Sequence, residues 1–245
     1  MRGLGTILNV AAILIGSGLG MLLGGRLPER TRTTVTDALG LVTLVIGGLN
    51  VAAVRDAEFT AAVGGGITLL VVLASLLIGG ILGSLLRIEQ RLASLGGWLQ
   101  ARLSRGSDSA ARLRFIEGFV TASLVFCIGP LAILGPLSDG LGRGIDALAL
   151  KSTLDGFAAL AFASALGPGV AGSAVSVAVW QGVLTVLAIA LGTVMTAPLI
   201  AALTATGGVL LLGVGLRLLG IRAVAVADLL PALLLAPLVT AVLLR

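Results

Sequence analysis

The chain of 245 residues is 58% apolar and only 11% charged, with a mean hydropathy of +1.16. A soluble domain carries about 25% charged residues, so this composition excludes an ordinary soluble protein. Fifteen of the sixteen basic residues are Arg, and most of them flank apolar runs. Their position favours charge at the edge of a membrane over a nucleic-acid partner.

Eight apolar runs match the length needed to cross a hydrocarbon core of about 30 Å. They cover 4–25, 37–54, 62–86, 115–136, 148–169, 173–194, 198–216 and 225–243. The sequence therefore predicts an all-α fold, a polytopic membrane helical bundle in a single transmembrane domain. The first expected partner is the lipid bilayer.

The most polar stretch, 87–114, places Leu and Ile at helical spacing between arginines, with Trp98 among them. That pattern suits a helix lying in the membrane interface, and a short soluble linker helix is the alternative. We expect 4–86 to form a first three-helix unit, 115–169 a central pair of helices, and 173–243 a second three-helix unit.

The orientation follows from the basic residues, because short loops on the cytoplasmic side collect Arg and Lys. With the N-terminus outside, eleven basic residues fall on the inner side and four on the outer side. Lys151 is left near or inside the membrane. The sequence therefore predicts that both termini lie outside and that 87–114 is cytoplasmic.

Two central segments share one pattern, an acid followed by Gly-Phe and a closing Gly-Pro. They are "EGFVTASLVFCIGP" (117–130) and "DGFAALAFASALGP" (155–168). Farther out, "ALGLVTLVIGG" (38–48) resembles "TGGVLLLGVGL" (206–216). The matching glycines are Gly40 with Gly208 and Gly47 with Gly215. Three spans, two central spans and three spans would give halves of opposite topology, as in the inverted repeats of secondary transporters.

Gly-Pro pairs predict interruptions of the central helices, because proline removes a backbone donor and clashes with the preceding turn. Pro130 lies about 15 residues into its span, roughly 22 Å deep, so a break there falls within the bilayer. A simple proline kink is the alternative at Pro130, and Pro168 stands where its span ends. The predicted helix breaks are Gly129, Pro130, Gly135, Pro136, Gly167 and Pro168.

Charged groups in the central segments are the candidate site, because an ionisable group inside a bilayer is costly and usually functional. Asp155 lies deeper in its span than Glu117, and Lys151 can pair with it on one helix face. The alternative for both acids is a cap in the first turn of a helix. The predicted residues for binding a solute or ion are Asp155, Lys151, Glu117, Thr121, Ser164 and Ser152.

Sequence signatures of enzymes are missing, since the chain has no His and lacks a Gly-x-Ser-x-Gly or paired-Asp motif. We therefore expect no catalytic residue, no cofactor and no metal site.

Small residues spaced by four allow two helix backbones to approach closely in lipid. The glycines with this spacing are Gly16, Gly20 and Gly24, and Gly79 with Gly83.

The chain resembles the bacterial membrane proteins grouped as domain of unknown function 554. The resemblance lies in "GTILN" (5–9), "GFVTASLVFCIGPLAILG" (118–135), "KSTLDGFAALAFASALGPGV" (151–170), "WQG" (180–182) and "LLPA" (229–232). It covers nearly the whole chain and implies a multi-pass protein of the bacterial cytoplasmic membrane, from a family often described as candidate transporters. It implies no functional residues.

These patterns together predict a transporter of a small solute or an ion, with its site between 115–136 and 148–169. A non-transporting scaffold or accessory protein is the alternative, and an intramembrane enzyme is the third hypothesis. Beyond the bilayer, the expected partner is the transported solute or ion, and no nucleic acid is expected. The sequence leaves the oligomeric state open, a homo-oligomer included.

Overall fold

The computed structural model describes residues 2–24, 28–103, 109–128, 131–142, 144–191 and 196–243. Within these ranges the chain forms eleven α-helices and no strand. The helices are α1 (Leu4–Gly24), α2 (Glu29–Val51), α3 (Ala57–Val63), α4 (Ile67–Leu86), α5 (Ile88–Leu103), α6 (Ser109–Cys127), α7 (Leu131–Gly140), α8 (Asp146–Leu166), α9 (Gly169–Leu191), α10 (Ala197–Leu218) and α11 (Ala232–Leu243). Two 3₁₀ segments, Ala52–Arg55 and Val226–Leu229, precede α3 and α11.

Large apolar side chains remain exposed along the outward faces of these helices. Ile7, Leu22 and Leu85 are 67%, 72% and 75% exposed, respectively. Soluble proteins rarely expose apolar patches of more than a few hundred Å². Such faces suit contact with lipid tails, and the fold is the helical membrane bundle that the composition predicts.

Six helical stretches among the described residues are long and apolar enough to span a membrane. They are Leu4–Gly24, Glu29–Arg55, Ile67–Leu86, Gly169–Ile189, Ala197–Leu218 and Val226–Leu243. The bent pair α6 and α7 makes a seventh if its two pieces count as one broken span. The predicted span 148–169 coincides with α8, which has 21 residues but carries Asp146, Lys151 and Asp155. The number of eight spans stays a prediction.

The chain divides into two compact units. The first unit comprises residues 1–39, 92–127 and 131–193, and therefore contains α1, most of α5, and α6 to α9. The second unit comprises residues 40–91, 128–130 and 194–245, with α3, α4, α10, α11 and the larger part of α2.

Two parallel helix pairs build the first unit. Helix α1 packs along α8, from Gly5 beside Leu148 to Gly24 beside Ser164. Helix α6 runs along α9 in the same sense, and Ser123 Oγ donates to Ser176 Oγ at 2.9 Å. Every residue of 118–124 is buried, so this stretch of α6 is enclosed on all sides.

Helices α2 and α10 cross at facing glycines in the second unit. A Cβ on Gly47 would lie 3.0 Å from the carbonyl oxygen of Gly208, and one on Gly208 would lie 2.7 Å from that of Gly47. A Cβ on Gly215 would lie 3.1 Å from the carbonyl oxygen of Gly40. Because the higher-numbered glycine of one helix meets the lower-numbered glycine of the other, the two helices are antiparallel.

The second unit also has a small core around Phe59, a fully buried side chain of α3. Asp56 starts this short helix, because its carboxylate accepts a hydrogen bond from Phe59 N at 3.0 Å. Val71, Ala201, Ala202 and Ala236 surround the ring. Small residues from α10 and α11 thus let a large ring pack between helices.

The polar connector 87–114 contains the predicted helix as α5. Gly96 lies against the ring of Phe119, where a Cβ would approach Cδ1 to 2.8 Å. Trp98 is 55% exposed, and the guanidinium carbon of Arg102 lies 5.3 Å from its ring centre. This cation–π contact joins two exposed side chains of α5, and the choice between an interfacial helix and a soluble linker stays a prediction.

The chain bends by 90° between α6 and α7, where the sequence predicts a broken helix. Gly129 and Pro130 themselves lie outside the described residues. Pro136, also predicted as a break, lies instead inside α7, and Gly135 packs there against Leu148. The prediction of a break at Gly135-Pro136 is therefore wrong. A proline six residues into a ten-residue helix forgoes a single backbone hydrogen bond, and α7 continues past it.

Gly167 and Pro168 separate α8 from α9, as the sequence predicts for the end of that span. Gly167 has φ = 84°, a left-handed conformation that glycine adopts without a Cβ clash. Its amide donates to the carbonyl of Ala163 at 3.0 Å. Helix α8 therefore ends in a glycine cap, and α9 starts back two residues later.

Candidate functional site: a buried ion pair on helix 8

Lys151 and Asp155 form a buried ion pair one turn apart on α8. Lys151 Nζ lies 2.5 Å from Asp155 Oδ2, and the two side chains are only 7% and 11% exposed. The i,i+4 spacing in a helix brings both groups to one face, as the sequence predicts. Removing two charges from water is costly, so each depends on the other for compensation.

Asn9 from α1 completes this group. Its amide nitrogen donates to Asp155 Oδ2 at 3.0 Å, and Asn9 is fully buried. The carboxylate oxygen that receives Lys151 therefore also receives an amide from a second helix. Lys151, Asp155 and Asn9 are called the charged centre below.

Asn9 was not among the predicted site residues. It stands in "GTILN", which carries part of the family resemblance, and it is a polar side chain five residues into an apolar span. A polar residue at that depth was the available signal, because intramembrane polar groups pair with other polar groups. Its partner on α8 could not be read from the sequence without the helix pairing.

A stripe of small residues packs α1 against α8 on the C-terminal side of the charged centre. A Cβ on Gly16 or Gly20 would collide with the carbonyl oxygen of Gly156 or Leu160, and one on Gly24 would lie 2.5 Å from that of Ser164. The glycine spacing predicted this close approach. It fixes the level of α1 on α8 and so places Asn9 beside Asp155.

The remaining predicted site residues do not join the charged centre through hydrogen bonds. Ser152 Oγ donates to Leu148 O at 2.6 Å, and Ser164 Oγ donates to Ala161 O at 2.7 Å, both within α8. Thr121 is buried in α6, whereas Glu117, one turn before it, is exposed. The structure thus brings together Lys151 and Asp155 from the predicted set, and adds Asn9.

A cavity of about 540 Å³ lies at the C-terminal end of α8. Its lining includes Ser164, Gly167 and Pro168 together with Met21 and Arg114. Ser164 is nine residues beyond Asp155, about 13 Å along the helix. Three of the predicted residues therefore line a space away from the charged centre.

Arg114 caps α8 beside this cavity. Its Nη2 donates to the carbonyl oxygen of Ala165 at 2.6 Å. A cation at the C-terminal end of a helix offsets the partial negative charge of its unpaired carbonyls. This contact explains the position of Arg114 in structural terms.

Asp139, a second buried acid that the sequence did not mark, caps the other end of the α1–α8 pair. It is 2% exposed, and its carboxylate accepts from Gly3 N at 3.1 Å and Gly5 N at 3.0 Å. These are unpaired donors at the start of α1. Asp139 ties the last turn of α7 to the first turn of α1.

Metal ligands are not grouped in the described part of the chain, where no three His, Cys, Asp or Glu side chains come together. The charged centre offers a single carboxylate, and Lys151 already compensates its charge. The charged centre thus consists of one carboxylate held by an ammonium and an amide.

Several long apolar helices, together with a charged pair buried in the first unit, define a polytopic helical membrane protein. The chain belongs to the family described as "Protein of unknown function (DUF554)", whose model matches residues 4–241. The resemblance drawn from the central segments is thereby confirmed.

Two relatives match over nearly their whole length. The chain is 34% identical over 233 residues to "Uncharacterized protein YqgA" of Escherichia coli (strain K12), covering 95% of this chain and 94% of the relative. It is 30% identical over 237 residues to "Uncharacterized membrane protein YdfK" of Bacillus subtilis (strain 168), covering 96% and 94%. No solved structure matches.

Proposed function

We propose that this protein moves a small solute or an ion across the bacterial cytoplasmic membrane, with Lys151, Asp155 and Asn9 as its functional centre. The observation that supports the proposal is the buried ion pair on α8. Charged side chains within membrane helices are rare, and they commonly mark the path of a substrate or ion.

The pairing geometry supports an exchangeable centre. Both Lys151 and Asn9 donate to Oδ2 of Asp155, and Oδ1 accepts no hydrogen bond from the other described residues. A cation or proton bound at Oδ1 would compete with Lys151 for the charge of the carboxylate. Buried polar atoms in proteins are almost always hydrogen-bonded. A carboxylate oxygen without such a bond therefore fits a centre that exchanges partners better than a purely structural pair.

Reciprocal helix contacts support the inverted repeat that such a transporter would use. If Gly40 corresponds to Gly208 and Gly47 to Gly215, a two-fold axis converts the contact of Gly47 with Gly208 into that of Gly215 with Gly40. Both contacts occur within the second unit. Opposite halves related by a two-fold axis give this reciprocity.

The first unit has the same kind of reciprocity. The repeat makes α1 correspond to α9 and α8 to the broken helix of α6 and α7. The parallel pair of α1 with α8 is then converted into the parallel pair of α9 with α6, and both pairs occur. Two independent sets of contacts thus support opposite-topology halves.

Reconstituted protein tests the proposal directly. Proteoliposomes carrying an internal pH dye are exposed to gradients of protons, Na⁺ and K⁺, and swelling assays use glycerol, urea and glycine. We expect flux of at least one probe through the wild type and a loss of at least ten-fold in Asp155→Asn. Thr153→Ala, an exposed position on the same helix, is the matched control and should keep full flux.

Two outcomes would overturn the proposal in favour of a scaffold. One is the absence of flux for every probe with folded protein in the membrane. The other is equal flux in the wild type and in Asp155→Asn.

A further inference from the structure

Buried polar atoms without a partner concentrate on two touching helices of the first unit. Among the described residues, eight buried side-chain polar atoms lack a hydrogen-bond partner, and seven of them belong to α1 and α9. Those seven are Thr6 Oγ1, Asn9 Oδ1, Ser17 Oγ, Trp180 Nε1, Gln181 Nε2, Gln181 Oε1 and Thr185 Oγ1. Helices α1 and α9 are in contact.

Gln181 is the strongest member of this set. It is fully buried, and neither its amide oxygen nor its amide nitrogen has a partner among the described residues. A primary amide offers two donors and two acceptor sites. Buried polar groups in folded proteins are almost always bonded, to protein or to ordered water. An amide with both ends unpaired therefore points to a ligand.

The end of α7 brings Gln181 and Asn9 to one level. Asp139 accepts from Gly5 N on α1, and the adjacent Gly140 packs against the carbonyl oxygen of Thr185 on α9. Asn9 lies four residues after Gly5, and Gln181 lies four residues before Thr185. Because α9 runs opposite to α1, both steps lead the same way, by about 6 Å along each helix.

Four buried polar residues lie at this level on the two touching helices, and together they are named the α1–α9 polar site. They are Thr6 and Asn9, three apart on α1, and Gln181 and Thr185, four apart on α9. These spacings put each pair on one helix face. All four side chains are at least nine-tenths buried. One turn farther along each helix, Ile13 on α1 and Val177 on α9 are fully buried apolar residues.

The chemistry of the α1–α9 polar site selects an uncharged, hydrogen-bonding ligand. Its hydroxyl and amide groups carry no charge, and they offer both donors and acceptors. A metal cation accepts no hydrogen bond, so it would leave the unpaired amide nitrogen of Gln181 without a partner. Water fits this mixture, because it donates and accepts and is small enough to fill gaps between helices.

We propose that the α1–α9 polar site holds a short file of ordered water molecules that ends at Asp155 and makes the proton the ion moved by this protein. The water site stands on its own geometry, and the role of the proton rests on the proposed function. A proton passed along the waters bonds to Oδ1 of Asp155, and the last water keeps its remaining hydrogens. The neutral carboxyl then releases Lys151, whose ammonium keeps its own proton. Cys127 of α6 is a further titratable group within electrostatic reach of the pair.

Thermal unfolding of near-isosteric variants tests the water site without any transport assay. Gln181→Met and Thr185→Val replace polar ends by apolar ones of similar size. If waters bond these groups, both variants lose bonds and their Tm falls. If the patch is dry, both variants relieve unpaired groups and their Tm rises, which overturns the proposal.

Ser75→Ala is the matched control. Ser75 Oγ is also buried and unpaired among the described residues, but it lies on α4 in the second unit. This variant shows the effect of removing an isolated unpaired hydroxyl, and we expect an unchanged or higher Tm. The ligand would be a metal cation if the Tm of the wild type were higher in NaCl than in choline chloride and Gln181→Met removed this difference. That result would overturn the proposal.

Proton flux separates the water site from transport. We expect Gln181→Met to cut the proton flux of proteoliposomes at least ten-fold, and Ser75→Ala to leave it unchanged. If Gln181→Met has a lower Tm but the proton flux is the same in the wild type and in Asp155→Asn, the proposed function is overturned and the water site is retained. A higher Tm of Gln181→Met with flux that depends on Asp155 would overturn the water site and retain transport.

Discussion

Glu89 and Asp228 each cap the segment that carries the other. The carboxylate of Glu89 accepts from Ala227 N at 2.9 Å, in the first turn of the 3₁₀ segment before α11. The carboxylate of Asp228 accepts from Glu89 N at 2.8 Å, in the first turn of α5. Arg217 adds an ion pair to Glu89, with 2.5 Å between Nη1 and Oε1. Three segments of the second unit are joined at this point.

Removing either carboxylate should therefore loosen both segments. We expect Glu89→Gln and Asp228→Asn each to lower the free energy of unfolding by about 1.5–3 kcal/mol, the range for hydrogen bonds to charged groups. The double variant should lose less than the sum, because the two caps share one joint. Thermal melts in detergent measure this. Full additivity would show that the two caps act separately.

The contact of α1 with α8 can be tested by adding one methyl group. Gly16→Ala places a Cβ against the carbonyl of Gly156, so the helices must separate, and we expect the free energy of unfolding to fall by about 1–3 kcal/mol, as for overpacking. Gly18→Ala, on the same helix, meets nothing within 4 Å. That control should be neutral or slightly stabilising, because alanine favours the helix. Equal effects of both substitutions would contradict the close contact.

The cap on α1 gives a further prediction. Asp139→Ala removes the acceptor for Gly3 N and Gly5 N, and we expect a loss of roughly 0.5–2 kcal/mol of stability, as for other helix caps. Asp146→Ala is the matched control, an exposed acid in the first turn of α8. Thermal melts should show the smaller effect for Asp146. A larger loss at Asp146 would contradict the role of Asp139.

The sequence revealed those features of the site that depend on spacing along one helix. Lys151 and Asp155 are four apart, so their pairing on one face follows from helical geometry alone. The close approach at Gly16 and Gly20 followed in the same way from a four-residue spacing. Neither prediction required knowledge of which helix lies next to which.

Contacts between distant segments could not be predicted in this way. Asn9 reaches Asp155 across 146 positions of sequence, and Asp139 reaches Gly3 across 136. Pairing of helices depends on their packing, which an apolar composition leaves undetermined, since lipid tails are as apolar as the helix faces. Pro136 shows the opposite error, because a local rule predicted a break where a short helix continues.

The orientation in the membrane gives a further prediction. The basic residues predict that α5 is cytoplasmic and that both termini are outside. Fusions truncated after α5 and joined to a fluorescent protein should therefore fluoresce, and the same fusions to alkaline phosphatase should be inactive. Fusions at the C-terminus should give the reverse pattern. An active phosphatase after α5 would invert the predicted topology.

The charged centre gives the sharpest test of whether Lys151 and Asp155 act as a pair. Each single variant, Lys151→Met or Asp155→Asn, changes a buried pair of opposite charges. Lys151→Met leaves the carboxylate uncompensated, and Asp155→Asn leaves the ammonium uncompensated. Breaking a buried pair in this way costs roughly 3–5 kcal/mol. The double variant leaves no charge, so it should recover much of the lost stability.

Thermal melts of the four proteins give the coupling free energy, with Thr153→Ala as the exposed control on α8. If the two single losses simply add in the double variant, the ion pair does not stabilise the fold, and the charges of Lys151 and Asp155 are compensated separately.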